Sequence, residues 1–111
     1  MEKTKTITPT RTIEIGDKEY DVAIAETPEE RASGLEPYAY LRPDEGMLFI
    51  FEEPTTSPFT MTNTSINLDI VFMDEYGEVM QVTTAKAFDK EPITCSWPYN
   101  YVLEVRANSS I

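Results

Sequence analysis

The apolar residues of this 111-residue chain come in short runs, and the longest, residues 47–51, is five residues. Crossing a bilayer as a helix takes ~18 consecutive apolar residues, and no run here approaches that. Short segments that alternate apolar and polar residues are instead separated by Gly, Pro, Asn and Asp. That is the composition of β-strands joined by turns.

In RTIEIGDKEYDVAIAE, Ile13 and Ile15 share one face, and Tyr20, Val22 and Ile24 share another. Gly16-Asp17-Lys18 supplies the turn, so a β-hairpin is expected. The clearest hairpin is LDIVFMDEYGEVMQVTTA, with two apolar runs around Asp74-Glu75-Tyr76-Gly77. Residues 46–51, GMLFIF, are continuously apolar and predict a strand buried on both faces. Residues 59–61 alternate again. YNYVLEVRA closes the series with Tyr99, Tyr101, Leu103 and Val105 on one face. One segment, TPEERASGL, reads as a helix. Thr27 caps it, Pro28 fits the first turn, Glu30 completes a capping box and Gly34 stops it. EPYAYLRPDEG, EEPTTSP and AKAFDKEPITCSWP read as loops. The expected fold is mainly β (α+β), a small and mostly antiparallel barrel or sandwich of about seven short strands with one short helix. The expected organisation is a single domain over residues 11–107, with tails at 1–10 and 108–111.

Charge excludes some functions. There are 20 acidic and 9 basic residues, a net charge of -11. Phosphate backbones and anionic lipids attract basic surfaces, so neither nucleic acid nor membrane is expected as a partner. An unidentified small ligand or protein is, and the chain is expected to be a monomer. The sequence has no histidine, which removes histidine triads and most zinc or iron sites. Its single cysteine, Cys95, has no histidine to activate it and reads as a passive thiol. The first residues lack an apolar stretch of the secretory kind, so the chain as written is expected in the cytoplasm, or exported if it is a trimmed mature form.

The candidate chemistry centres on FTMTNTSINLDIVFMD, where a polar run precedes a carboxylate among apolar neighbours. Met61, Asn63, Thr64 and Asp69, with Glu45, form the candidate ligand-binding or structural-turn set. Asn63 and Asp69 are expected first to fasten a turn, because Asn and Asp side chains bond nearby backbone donors readily. Asp74, Glu75 and Glu78 lack the ligand alternation of a calcium loop and read as a hairpin turn. The pairs Glu29-Glu30, Asp44-Glu45 and Glu52-Glu53 are adjacent in sequence, which on a strand places them on opposite faces. Asn63-Thr64-Ser65 and Asn108-Ser109-Ser110 fit the glycosylation acceptor pattern. No catalytic residue, cofactor or metal is assigned.

ETPEERASGL, DEGMLFIF, FTMTNTSINLDIVFMDEYGEV and YVLEV occur in an order and spacing that resemble the family known as domain of unknown function 192, over residues 20–105. Met61, Asn63-Thr64, Leu68-Asp69-Ile70 and Phe72 carry the most specific part. The chain has Thr60, Thr62 and Asn67 where the family usually has Trp, Lys and Pro. Members usually continue past the YVLEV strand with a further short segment and a last strand. The resemblance implies a small, mostly antiparallel β fold with one helix and no established activity.

Three function classes remain. The reading favoured by the missing catalytic motifs is a non-enzymatic binding or accessory module. The second is a hydrolase or transferase using Asp69 and Glu45, with Asn63 as a donor. The third is a carbohydrate-binding module presenting Tyr38, Tyr40, Trp97, Tyr99 and Tyr101.

Overall fold

The computed structural model describes residues 5–108. Its strands are β1 (Lys5–Thr6), β2 (Arg11–Ile15), β3 (Lys18–Ala25), β4 (Tyr38–Tyr40), β5 (Glu45–Thr55), β6 (Leu68–Met73), β7 (Val79–Ala85) and β8 (Tyr99–Arg106), with one helix, α1 (Pro28–Ser33), between β3 and β4. Six strands form one sheet in the order β2-β3-β5-β8-β6-β7, and β1 and β4 form a separate parallel pair. Within the large sheet only β3 and β5 run parallel. Parallel neighbours need a crossover connection, and the segment carrying α1 and β4 provides it. The mainly β class with one short helix therefore holds. The sheet is open, however, with β2 and β7 as its edges, rather than closed into a barrel.

Both hairpins form where turn chemistry predicts them. Ile15 pairs with Lys18, which leaves Gly16 and Asp17 as a two-residue loop, and Gly16 has φ 61. Lys18 belongs to the strand rather than the turn. In the second hairpin Gly77 has φ 79, and Asp74 Oδ1 accepts from the backbone N–H groups of Tyr76 and Glu78, each at 2.9 Å. Asp74 is therefore a turn residue. The α1 capping box is complete: Glu30 N–H donates to Thr27 Oγ1 at 3.1 Å, and Thr27 N–H donates to Glu30 Oε1 at 3.0 Å.

Three segments depart from the expectation. Residues 38–40, expected in a loop, form β4 because β1 lies beside them. Residues 59–61 form no strand; Phe59 makes a single bridge with Ile93. The segment before residue 11, expected as a tail, contributes β1 and the core residue Ile7. Ser109 and Ser110, from the second glycosylation triplet, lie outside the described residues.

The sheet carries apolar residues on both faces, and these form two clusters. Met47, Phe49, Leu68, Ile70, Phe72 and Val102 belong to the main core. Val22, Val71, Met73, Leu103 and Val105 belong to the second, on the opposite face. All six residues of β6 are buried, which accounts for the apolar run at 70–73. β5 was expected to be covered on both faces, but Leu48, Ile50 and Phe51 remain partly exposed. The β5–β8 register shifts between Ile50 and Thr55, and there Tyr99 lies in the main core, while Tyr101, expected on the same face, packs against the second cluster. Among the described residues no helix is long and apolar enough to cross a membrane.

Candidate functional site

A cavity of about 240 Å³ opens on the main-core face where four segments meet. The end of α1 and the turn after it, residues 31–36, form one side. Phe49 and Phe51 of β5 form the next. Ser57, Pro58, Phe59 and Thr60 close a third side with Thr64, and Tyr99 and Glu104 of β8 complete the lining.

The walls hold one another in place. Phe59 meets Phe49 edge-to-face at 5.2 Å between centroids, and Phe51 meets Tyr99 the same way at 5.4 Å. Such pairs contribute beyond their buried area. The Tyr99 hydroxyl donates to the Ser57 carbonyl. Burial, and secondarily Cys95, push the Tyr99 phenol up to about 12, so it stays a donor. Phe59 and Ile93 exchange two backbone hydrogen bonds at 2.8 Å each. At the rim, Arg31 Nη1 donates to the carbonyls of Glu26 and Ile50, and the guanidinium lies 5.0 Å from the Phe51 ring centroid. Packing and hydrogen bonds thus preorganise the cavity.

Glu104 sets its chemistry. Ladder pairing puts it in one row with Ile70 on β6 and Met47 on β5, both in the main core. Its side chain therefore enters an apolar layer, and only 5% of the residue is exposed. No hydrogen bond or ion pair reaches its carboxyl from the described residues. Among those residues, no fully enclosed side-chain oxygen or nitrogen lacks a hydrogen bond. The carboxyl is thus turned to the cavity rather than sealed in the core. Burial pushes its pKa up to about 8, so the group is a neutral acid at pH 7, able to donate and to accept.

The residues singled out from sequence do not converge on this cavity. Thr64 does line it and is buried. Met61 is a fully buried core residue, and Asn63 is exposed on the same connection. Asp69 is buried on the other face of the sheet, where Thr84 Oγ1 donates to its Oδ1 at 2.7 Å. That bond crosses the β6–β7 ladder. Asn67 holds the 61–69 connection by accepting from Ala87 N–H at 2.8 Å through its side chain. Asp69 pairs with Val105 and Val105 with Gly46, so these three side positions share a face; Glu45, one residue on, points the opposite way. Glu45 Oε1 accepts from Arg42 N–H at 3.1 Å in the turn before β5. The two carboxylates therefore cannot act on one substrate atom.

The rings considered for sugar stacking also separate. Tyr99 is fully buried, Tyr38 and Tyr101 are half-buried, and Tyr40 and Trp97 are more than half exposed. Glu104 was missed because it was read as the polar member of an alternating strand. The available signal was Val102, two residues before it on the same face, which marks that face as buried.

No curated protein matches the chain. Two solved structures do. One is a protein of unknown function from Novosphingobium aromaticivorans, with TM-score 0.78 and 33% identity over 82% of this chain. The other is a Sinorhizobium meliloti protein assigned provisionally as a transcription regulator, with TM-score 0.79 and 32% identity, also over 82%. The chain spans 66% of the length of the first and 71% of the second. The model of the family described as an uncharacterized ACR, domain of unknown function 192, matches residues 11–110. With nearly the whole chain matched and the same fold in two relatives, the protein belongs to the domain of unknown function 192 family.

Proposed function

We propose that the protein is a non-catalytic binding module that takes a small ligand in the cavity floored by Glu104. The observation that carries this reading is a buried carboxyl without a hydrogen-bond partner among the described residues, turned into a cavity with aromatic walls. An unpaired buried polar group costs about 1–3 kcal/mol, and a fold shaped by stability alone would place an apolar residue there. Binding sites keep such groups because a ligand supplies the partner. Rigid walls favour recognition, since little side-chain freedom is lost on binding. A hydrolase built on Asp69 and Glu45 is disfavoured by their opposite faces. A regulatory role of the kind assigned provisionally to the Sinorhizobium protein would work through a ligand or another protein, because a net charge of -11 disfavours DNA contact.

A fragment screen by two-dimensional NMR on the labelled chain tests the reading. Fragments are expected to shift the amide signals of residues 33–36, 57, 59 and 60, together with Thr64. Hits confined to other surfaces, or none, overturn it.

A further inference from the structure

We infer that the ligand is a small organic cation, an alkylammonium or methylated ammonium group seated against Glu104. This inference rests on the binding reading above and names its ligand class. The Glu104 carboxyl has no protein partner among the described residues, which leaves it free to meet a ligand in the cavity. Phe49, Phe51, Phe59 and Tyr99 line the same cavity, and aromatic rings attract cations that reach their faces, more strongly once water is excluded.

The other charged groups around the cavity are Arg31 from α1 and Glu36 after it; β5 supplies only Phe49 and Phe51 to the lining. Arg31 does not substitute for the ligand's charge. One of its nitrogens is committed to two backbone carbonyls, its plane sits by Phe51, and it makes no ion pair with Glu104. An anion would meet Glu36 and would leave Glu104 protonated, and Arg31, the cation at the rim, already has one nitrogen committed to two backbone carbonyls. A neutral alcohol would satisfy Glu104 but would draw nothing from the rings beyond contact. The net charge of -11 also raises the local concentration of cations. About 240 Å³ is well above the roughly 10–15 Å³ that a single water needs, so the cavity has room for a compact amine.

The cation carries a proton signature. A neutral Glu104 must ionise to pair with a bound ammonium, so one proton leaves for each cation that enters. Titration calorimetry of the full chain at pH 7, in two buffers of different ionisation enthalpy, measures that proton. The probes are n-butylammonium and tetramethylammonium, with 1-butanol and butyrate as neutral and anionic counterparts. The expected result is one site for each cation, with release approaching one proton. Butanol and butyrate should bind at least about tenfold more weakly. Glu104→Gln mimics the protonated side chain and should fold as wild type by circular dichroism, yet bind the cations at least about tenfold more weakly. Phe59→Leu should weaken tetramethylammonium several-fold. Cation affinity unchanged in Glu104→Gln, or no cation binding, overturns the assignment. If butanol or butyrate binds as tightly and shifts the cavity amides, the cation class falls while the binding module stands. If no probe and no fragment binds, both fall.

Discussion

A carboxylic acid with a raised pKa holds its proton more tightly in the folded chain than in the unfolded one. For Glu104 the unfolded value is near 4.5 and the folded value about 8. Between those limits the native state carries a proton that the unfolded state has lost. Stability from this group is therefore fully present below pH 4.5, declines as pH rises, and is gone above about 8. The slope is at most about 1.4 kcal/mol per pH unit. Other carboxylates titrate as well, so the measurement is the difference between wild type and Glu104→Gln in urea denaturation from pH 4 to 9. Wild type should lose stability relative to the variant as pH rises; parallel curves would contradict the raised pKa. At Asp69 the side chain is hydrogen-bonded. Asp69→Ala removes the acceptor of the Thr84 hydroxyl and should cost about 1–3 kcal/mol, with Asp69→Asn costing less. An Asp69→Ala variant as stable as wild type would show that the bond contributes nothing.

At the scale of the elements, Gly46 of β5 pairs closely with β8 at Val105. A Cβ built there would lie 2.6 Å from the Glu104 carbonyl oxygen and 2.9 Å from Val105 Cγ1. The obstacle is backbone, so β8 has to move. Gly46→Ala is expected to destabilise by about 1–3 kcal/mol, and it should shift the amide signals of Glu104 and Val105. Little change in either would mean the two strands can separate without loss. Helix α1 is short and buries no residue fully, so its position depends on its ends. Thr27→Ala removes the acceptor for Glu30 N–H and should cost about 0.5–2 kcal/mol by thermal or chemical unfolding. Because residues 31–36 wall the cavity, the same substitution should also weaken any ligand bound there.

For the molecule as a whole, the acidic surface governs encounters at a distance. With 20 acidic against 9 basic residues, approach to a polyanion is repulsive and no counterion release rewards contact. Fluorescence anisotropy should show no micromolar binding to random-sequence DNA at physiological salt. Binding at that level would point to a basic patch that the scattered Lys and Arg do not reveal.

Sequence alone determined what depends on neighbours a few residues apart. The turns at Gly16 and Gly77, the Thr27–Glu30 capping box, and the type of most elements follow from local backbone preferences and short-range hydrogen bonds, which the chain spells out directly. It also placed Thr64 in a polar run worth examining, and Thr64 lines the cavity. Tertiary structure decided everything that depends on pairing across the chain. The β1–β4 pair formed in an expected loop because strand pairing is a contact between segments over thirty residues apart. Asp69 and Glu45 lie on opposite faces because register, not residue type, sets the direction of a side chain. Glu104 looked like an ordinary polar position in an alternating strand. It became the floor of a cavity only because α1, β5 and the 57–60 segment cover the face onto which it points, and burial among those elements, not its own sequence context, is what changes its chemistry.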